Sequence, residues 1–91
     1  MNLVNAIQIK EIREELGLPQ PMFGQLFGVH PITVSKWERG IAMPNSYQLA
    51  LLDDFHLAAK KIKRKNLRAM VVGTGITSVL YELLRIARED V

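Results

Sequence analysis

Apolar residues in the first forty positions recur at helical intervals, and glycines and prolines separate them into short runs. Ile9, Ile12 and Leu16 are spaced three and four apart, Glu and Lys fill the opposite face, and Gly17 follows. That pattern predicts a helix with one buried stripe and a left-handed glycine at its end. A second run, with Phe23, Leu26 and Phe27 apolar, follows Leu18-Pro19 and closes at Gly28; Pro21 falls in its first turn, where a missing backbone N–H costs nothing. After Val29 and His30, Pro31 again occupies a helix start, and Val34 and Trp37 continue a buried stripe as far as Gly40. Two short helices joined by a tight glycine turn are expected.

Met43-Pro44-Asn45-Ser46 reads as a loop and N-cap, after which Leu49, Leu52, Phe55, Ala59 and Ile62 keep a three-to-four-residue period. This fourth helix is either long or broken near Asp53-Asp54. Residues 67–72 either extend it or form a short extended piece, since Met70-Val71-Val72 has β-branched character. Residues 76–88 read as a terminal helix with an apolar sector broader than one packing contact requires. The expected core is Ile9, Ile12, Leu16, Phe23, Phe27, Val34, Trp37, Leu49 and Leu52. The fold class is all-α.

Ninety-one residues, 48% of them hydrophobic and 23% charged, describe one compact domain, or one with an appended element. The absence of cysteine excludes disulfide frameworks, thiolate metal sites and cysteine nucleophiles. The uncharged run 69–81 is interrupted by Gly73 and Gly75 and falls short of the about 20 residues a membrane span needs. No basic segment followed by an apolar run opens the chain, so a cytoplasmic protein without membrane association is expected.

The net charge of +3 is unevenly placed. Residues 1–59 hold four basic against six acidic side chains, a net of −2, whereas six of the twelve basic residues fall within 60–68. That later run is either a phosphate-contacting stripe or the solvated face of a helix.

Two helices joined by three to four residues including a glycine form the helix-turn-helix arrangement, whose second helix enters the DNA major groove. The residue identities sharpen it: Ile12-Arg13, Gly17-Leu18, Gln20, Phe23-Gly24, Leu26-Phe27-Gly28-Val29, Thr33-Val34, Lys36-Trp37-Glu38-Arg39-Gly40 and Pro44. This pattern resembles the phage-repressor-like helix-turn-helix family, of the Cro/C1 or XRE type, over roughly residues 9–55. The resemblance implies a five-helix, lambda-repressor-like DNA-binding domain with an appended C-terminal helix. It divides the chain into a DNA-binding domain at 1–66, with its motif at 20–39, and a helical extension at 67–91. Two positions depart from the usual pattern: Pro19 stands for the Ser cap and Gly24 for an Ala.

By that resemblance Arg13 pairs with Glu38, a structural link that sets the angle between helices. Trp37 is read as a core anchor rather than a base-stacking group. Base edges are met from His30, Pro31, Ile32 and Lys36. Pro31 and Ile32 offer no side-chain hydrogen bond, so they reach only thymine methyls or groove shape, and Lys36 is the reader suited to guanine O6 and N7. His30 caps its helix through a ring nitrogen, contacts phosphate, or does neither. Gln20, Thr33, Ser35 and Arg39 are expected at phosphates, joined by Lys60, Lys61 and Arg64 if the basic run contributes.

A motif region with so little positive charge binds DNA weakly as one copy. Dimerisation doubles its contacts, and Ile76, Val79, Leu80, Leu83 and Ile86 of the terminal helix are the expected twofold face, unless that helix simply covers the core. The function expected is sequence-specific binding of double-stranded DNA by a homodimeric repressor. The alternative is an antitoxin-type protein whose residues 69–91 bind a partner protein. No enzyme and no cofactor are expected: Gly73-Thr74-Gly75 lacks the spacing of a phosphate-binding loop, and His30 and His56 have no metal-ligand spacing with acidic residues.

Overall fold

The computed structural model describes residues 5–62 and 67–89. Its helices are α1 (Ala6–Glu15), α2 (Gln20–Phe27), α3 (Pro31–Glu38), α4 (Ser46–Lys61), α5 (Leu67–Thr74) and α6 (Ile76–Arg88), and the described residues include no strand.

Local chemistry accounts for several of the helix ends. Asn5 and Asn45 open α1 and α4 with the same reciprocal device: the asparagine Oδ1 accepts the backbone N–H three residues on, and Gln8 or Gln48 accepts the asparagine's own N–H. Each box satisfies two backbone donors that a helix start otherwise leaves to solvent. It also begins α1 at Ala6, one turn before the apolar period starts. Gly28 closes α2 with φ 67° and ψ 31°, a left-handed conformation that costs glycine least of all residues. Beyond α3 the chain folds back, and the Ile41 and Ala42 amides both donate to the Lys36 carbonyl, at 2.9 and 3.3 Å.

The centre of the molecule is aromatic. Phe27 meets Phe23, Trp37 and Phe55 edge-on, with ring centroids 5.1, 5.3 and 5.3 Å apart, so one side chain joins α2, α3 and α4. Ile9, Ile12 and Leu16 of the first helical segment, Val34 of α3 and Leu52 of α4 close around this cluster, all essentially without solvent contact. Leu49 lies at its edge, half-buried, and Leu51 is buried instead.

α4 runs unbroken through Asp53 and Asp54. Leu51, Leu52, Phe55, Ala58 and Ala59 form its inward face, while the two acids sit half-buried beside it and Asp54 accepts from Arg88 of α6 at 3.0 Å. The segment after the basic run is helical despite its valines. Leu67 is completely buried and Met70 and Val71 pack against the core, and that burial outweighs a small β preference. Gly75 then takes φ 93° and ψ 165°, a region essentially confined to glycine, and its turn sends α6 back across α4 and α2.

The placement of α6 corrects the expected twofold face. Val79 and Leu83 are completely buried within the chain and Ile86 is 9% exposed, all in one continuous core with Phe23, Leu52 and Phe55. Ile76 and Leu80 are half-buried against the same core. A single chain offers α6 the apolar surface of α4, and covering a Val or Leu completely contributes about 1.5–3 kcal/mol. These residues are therefore consumed by the protein's own interior. α6 is tied down at its far end as well, where Lys61 Nζ donates to the carbonyls of Ile86 and Ala87 at 3.1 and 3.5 Å.

Candidate nucleic-acid interface

α3 divides cleanly into two faces. Val34 and Trp37 point into the core, 0 and 2% exposed, and His30, Ile32 and Lys36 lie outward. Pro31, Thr33 and Ser35 are half-buried along the border. An eight-residue helix anchored on one side by a tryptophan presents its opposite side as a rigid edge.

The first turn of that edge is organised by His30. Its Nδ1 accepts the Ile32 backbone N–H at 3.2 Å, so the imidazole is the N-cap of α3. A neutral ring that accepts through Nδ1 carries its proton on Nε2. The cap thereby turns His30 into an N–H donor, matched to a purine N7, a guanine O6 or a phosphate oxygen.

The angle of α3 is held by a polar cluster on the other end of the helix. Arg13 of α1 grips Glu38 bidentately, Nε to Oε2 at 2.6 Å and Nη2 to Oε1 at 3.1 Å, and its Nη1 donates to the Leu18 carbonyl at 3.0 Å. The Glu38 side chain is 4% exposed and that of Arg13 13%. Hydrogen bonding and the charge of Glu38 raise the Arg13 pKa above its ordinary value against an opposing burial effect, so the guanidinium stays charged. Gln20, first residue of α2, adds an Nε2 donor to Glu38 Oε1 at 3.1 Å. The Glu38 carboxylate thus ties α1, α2 and α3 together, and Arg13 adds the turn before α2 through the Leu18 carbonyl.

Gln20 is therefore half-buried beside an ion pair, with one of its two amide hydrogens already committed. Arg39, exposed past the end of α3, turns back to Ser35, its Nε donating to Ser35 Oγ at 3.0 Å and to the Ser35 carbonyl at 3.3 Å. Lys60 is exposed; Lys61 is drawn to the end of α6; Arg64 lies outside the described residues. The Gln20–Glu38 bond escaped the sequence reading because partners eighteen positions apart carry no local signature. The asparagine boxes did carry one, an Asn followed three residues later by Gln.

Gly24 explains how closely the two motif helices meet. A Cβ there would lie 2.7 Å from the Val29 carbonyl oxygen, and the Val29 amide donates to the Gly24 carbonyl at 2.9 Å. The turn between α2 and α3 lies directly over this glycine.

Among the described residues no helix is long and apolar enough to cross a membrane. No curated protein and no solved structure matches the chain. The helix-turn-helix family pattern matches residues 9–55, just over half of the chain's length, and spans α2, α3, most of α1 and the first part of α4. Within the matched residues α3 buries Val34 and Trp37, exposes His30, Ile32 and Lys36, and is joined to α1 by the Arg13–Glu38 pair. The chain belongs to the helix-turn-helix family of the Cro/C1, XRE type, a family of DNA-binding regulators.

Proposed function

We propose that this protein is a transcriptional repressor that binds a specific operator as a homodimer, reading the major groove with the His30, Pro31, Ile32 and Lys36 edge of α3. The observation that carries the reading is the Arg13–Glu38–Gln20 cluster, because it fixes the pose of a helix whose outward edge serves no packing role. In this reading Lys36 donates to guanine, His30 Nε2 donates to a purine or phosphate, and Thr33, Ser35 and Arg39 meet the backbone. Gln20 uses its remaining amide hydrogen on a phosphate, and Lys60, Lys61 and Arg64 add positive charge.

The residues left for a second copy lie on the outward side of α6. Tyr81 is 69% exposed and Leu84 half-buried, beside Arg85 and Arg88. Two copies compensate for the scarcity of basic residues in the motif, since each neutralised phosphate adds counterion release.

Selection of binding sites from random duplex DNA tests this reading, with affinities followed against salt. A paired half-site is expected, together with a Lys36→Ala protein that relaxes one base position per half-site by about 1–3 kcal/mol. Absence of any sequence preference would overturn it. Light scattering tests the homodimer, and a monomer at all concentrations would remove that part.

A further inference from the structure

Ile32 is a large aliphatic side chain standing 56% exposed at the second position of α3, where every inward requirement of the helix is already met by Val34 and Trp37. Its position is stiff for three separate reasons. Pro31 fixes the preceding φ, the His30 ring holds the Ile32 amide, and a β-branched side chain in a helix has essentially one χ1 rotamer. The result is a rigid apolar knob standing between the polar side chains of His30 and Lys36. Lys36 lies four residues on and therefore on the same face, with Cβ atoms about 5–6 Å apart.

The proposed major-groove reading, on which this inference rests, limits what such a knob can recognise. Every base-edge feature of the major groove is a hydrogen-bonding group except one, the methyl at C5 of thymine. We propose that Ile32 recognises a C5-methyl group on a pyrimidine within about two base pairs of the base read by Lys36, given a rise of about 3.4 Å per pair. The side chain meets only the methyl, so it treats thymine and 5-methylcytosine alike at C5 and disfavours uracil and unmethylated cytosine there. Cytosine methylation at that position accordingly strengthens binding, and the methylation state of the DNA becomes an input to this protein.

The test uses the intact protein and the operator obtained by site selection. Each thymine is replaced in turn by deoxyuridine, which removes one methyl and changes no hydrogen bond. One position per half-site is expected to lose affinity about fourfold, the fold-change corresponding to about 0.8 kcal/mol for one buried methyl. With cytosine at that position, 5-methylcytosine is expected to recover a similar factor. Ile32→Ala should bind thymine, deoxyuridine and both cytosines without a methyl effect, and its melting temperature should be unchanged because the side chain is exposed. A selected site whose preference depends on Lys36 but shows no deoxyuridine effect at any thymine would overturn the proposal and leave the repressor reading standing. Failure to select any site would instead overturn the reading beneath it.

Discussion

Gln20 Nε2 and Glu38 Oε1 lie 3.1 Å apart, which places the first residue of α2 in the same hydrogen-bonded cluster as the last residue of α3. The helix start expected to face the DNA backbone is thus mechanically connected to the far end of the helix expected to read bases. Gln20→Ala removes one neutral donor from a carboxylate that keeps Arg13, so a stability loss of about 1 kcal/mol is expected in denaturant unfolding. DNA affinity should fall equally for all sequences. A fall confined to one sequence position would assign Gln20 to base reading instead.

Arg13→Ala leaves the Glu38 carboxylate, 4% exposed, with Gln20 as its remaining side-chain partner. An uncompensated buried charge costs about 3–5 kcal/mol, and the 13% exposure of Arg13 places the expected loss near the lower end, about 3 kcal/mol. The Arg13→Ala, Glu38→Ala double variant should lose clearly less than the sum of the single losses. The Arg13 pKa is raised above its ordinary value, so its contribution is complete below that ordinary value and disappears only as pH rises through the raised one. Unfolding followed between neutral pH and moderate alkali should show no loss from Arg13.

Gly28 and Gly75 both have positive φ, but they occupy different regions. At φ 67° and ψ 31° Gly28 is left-handed helical, where Asn is tolerated. At φ 93° and ψ 165° Gly75 has no such substitute. Gly28→Asn should therefore be mild, whereas Gly75→Asn and Gly75→Ala should each cost about 1–3 kcal/mol and weaken the docking of α6. Thermal unfolding of the four proteins, wild type included, checks the contrast.

Gly24→Ala sets a helix-propensity gain of up to about 1 kcal/mol against a Cβ 2.7 Å from a backbone oxygen. The oxygen belongs to the turn and cannot move without moving α3. A net loss of about 1–2 kcal/mol is expected, with weaker DNA binding because α3 is displaced. Equal or greater stability in calorimetry would show that the turn has room to shift.

The local features were legible because they are short-range. Gly28 after Phe27, Pro31 at a helix start, and Val34 with Trp37 on one face follow from neighbouring residues, and the structure places them accordingly. Arg13 and Glu38 were paired through the family resemblance; no local rule joins residues 25 apart. The His30 cap was legible as one of several alternatives, and only its 3.2 Å bond to the Ile32 amide chose among them.

α6 marks the boundary between the two kinds of information. The sequence by itself determined that residues 76–88 form a helix with a wide apolar sector, because periodicity is a property of the segment alone. It also determined the helix-turn-helix pair and the inward stripe of Val34 and Trp37. Only the tertiary structure decided that Val79, Leu83 and Ile86 are covered by this chain's own α4 and α2. Only it committed Gln20 to Glu38 and Lys61 to the end of α6. Burial is satisfied equally by an internal surface or a second copy, and a polar side chain bonds whichever partner the fold brings within hydrogen-bond reach. Both outcomes depend on the relative placement of whole helices, which Gly75, the aromatic cluster around Phe27 and the Arg13–Glu38 pair set together.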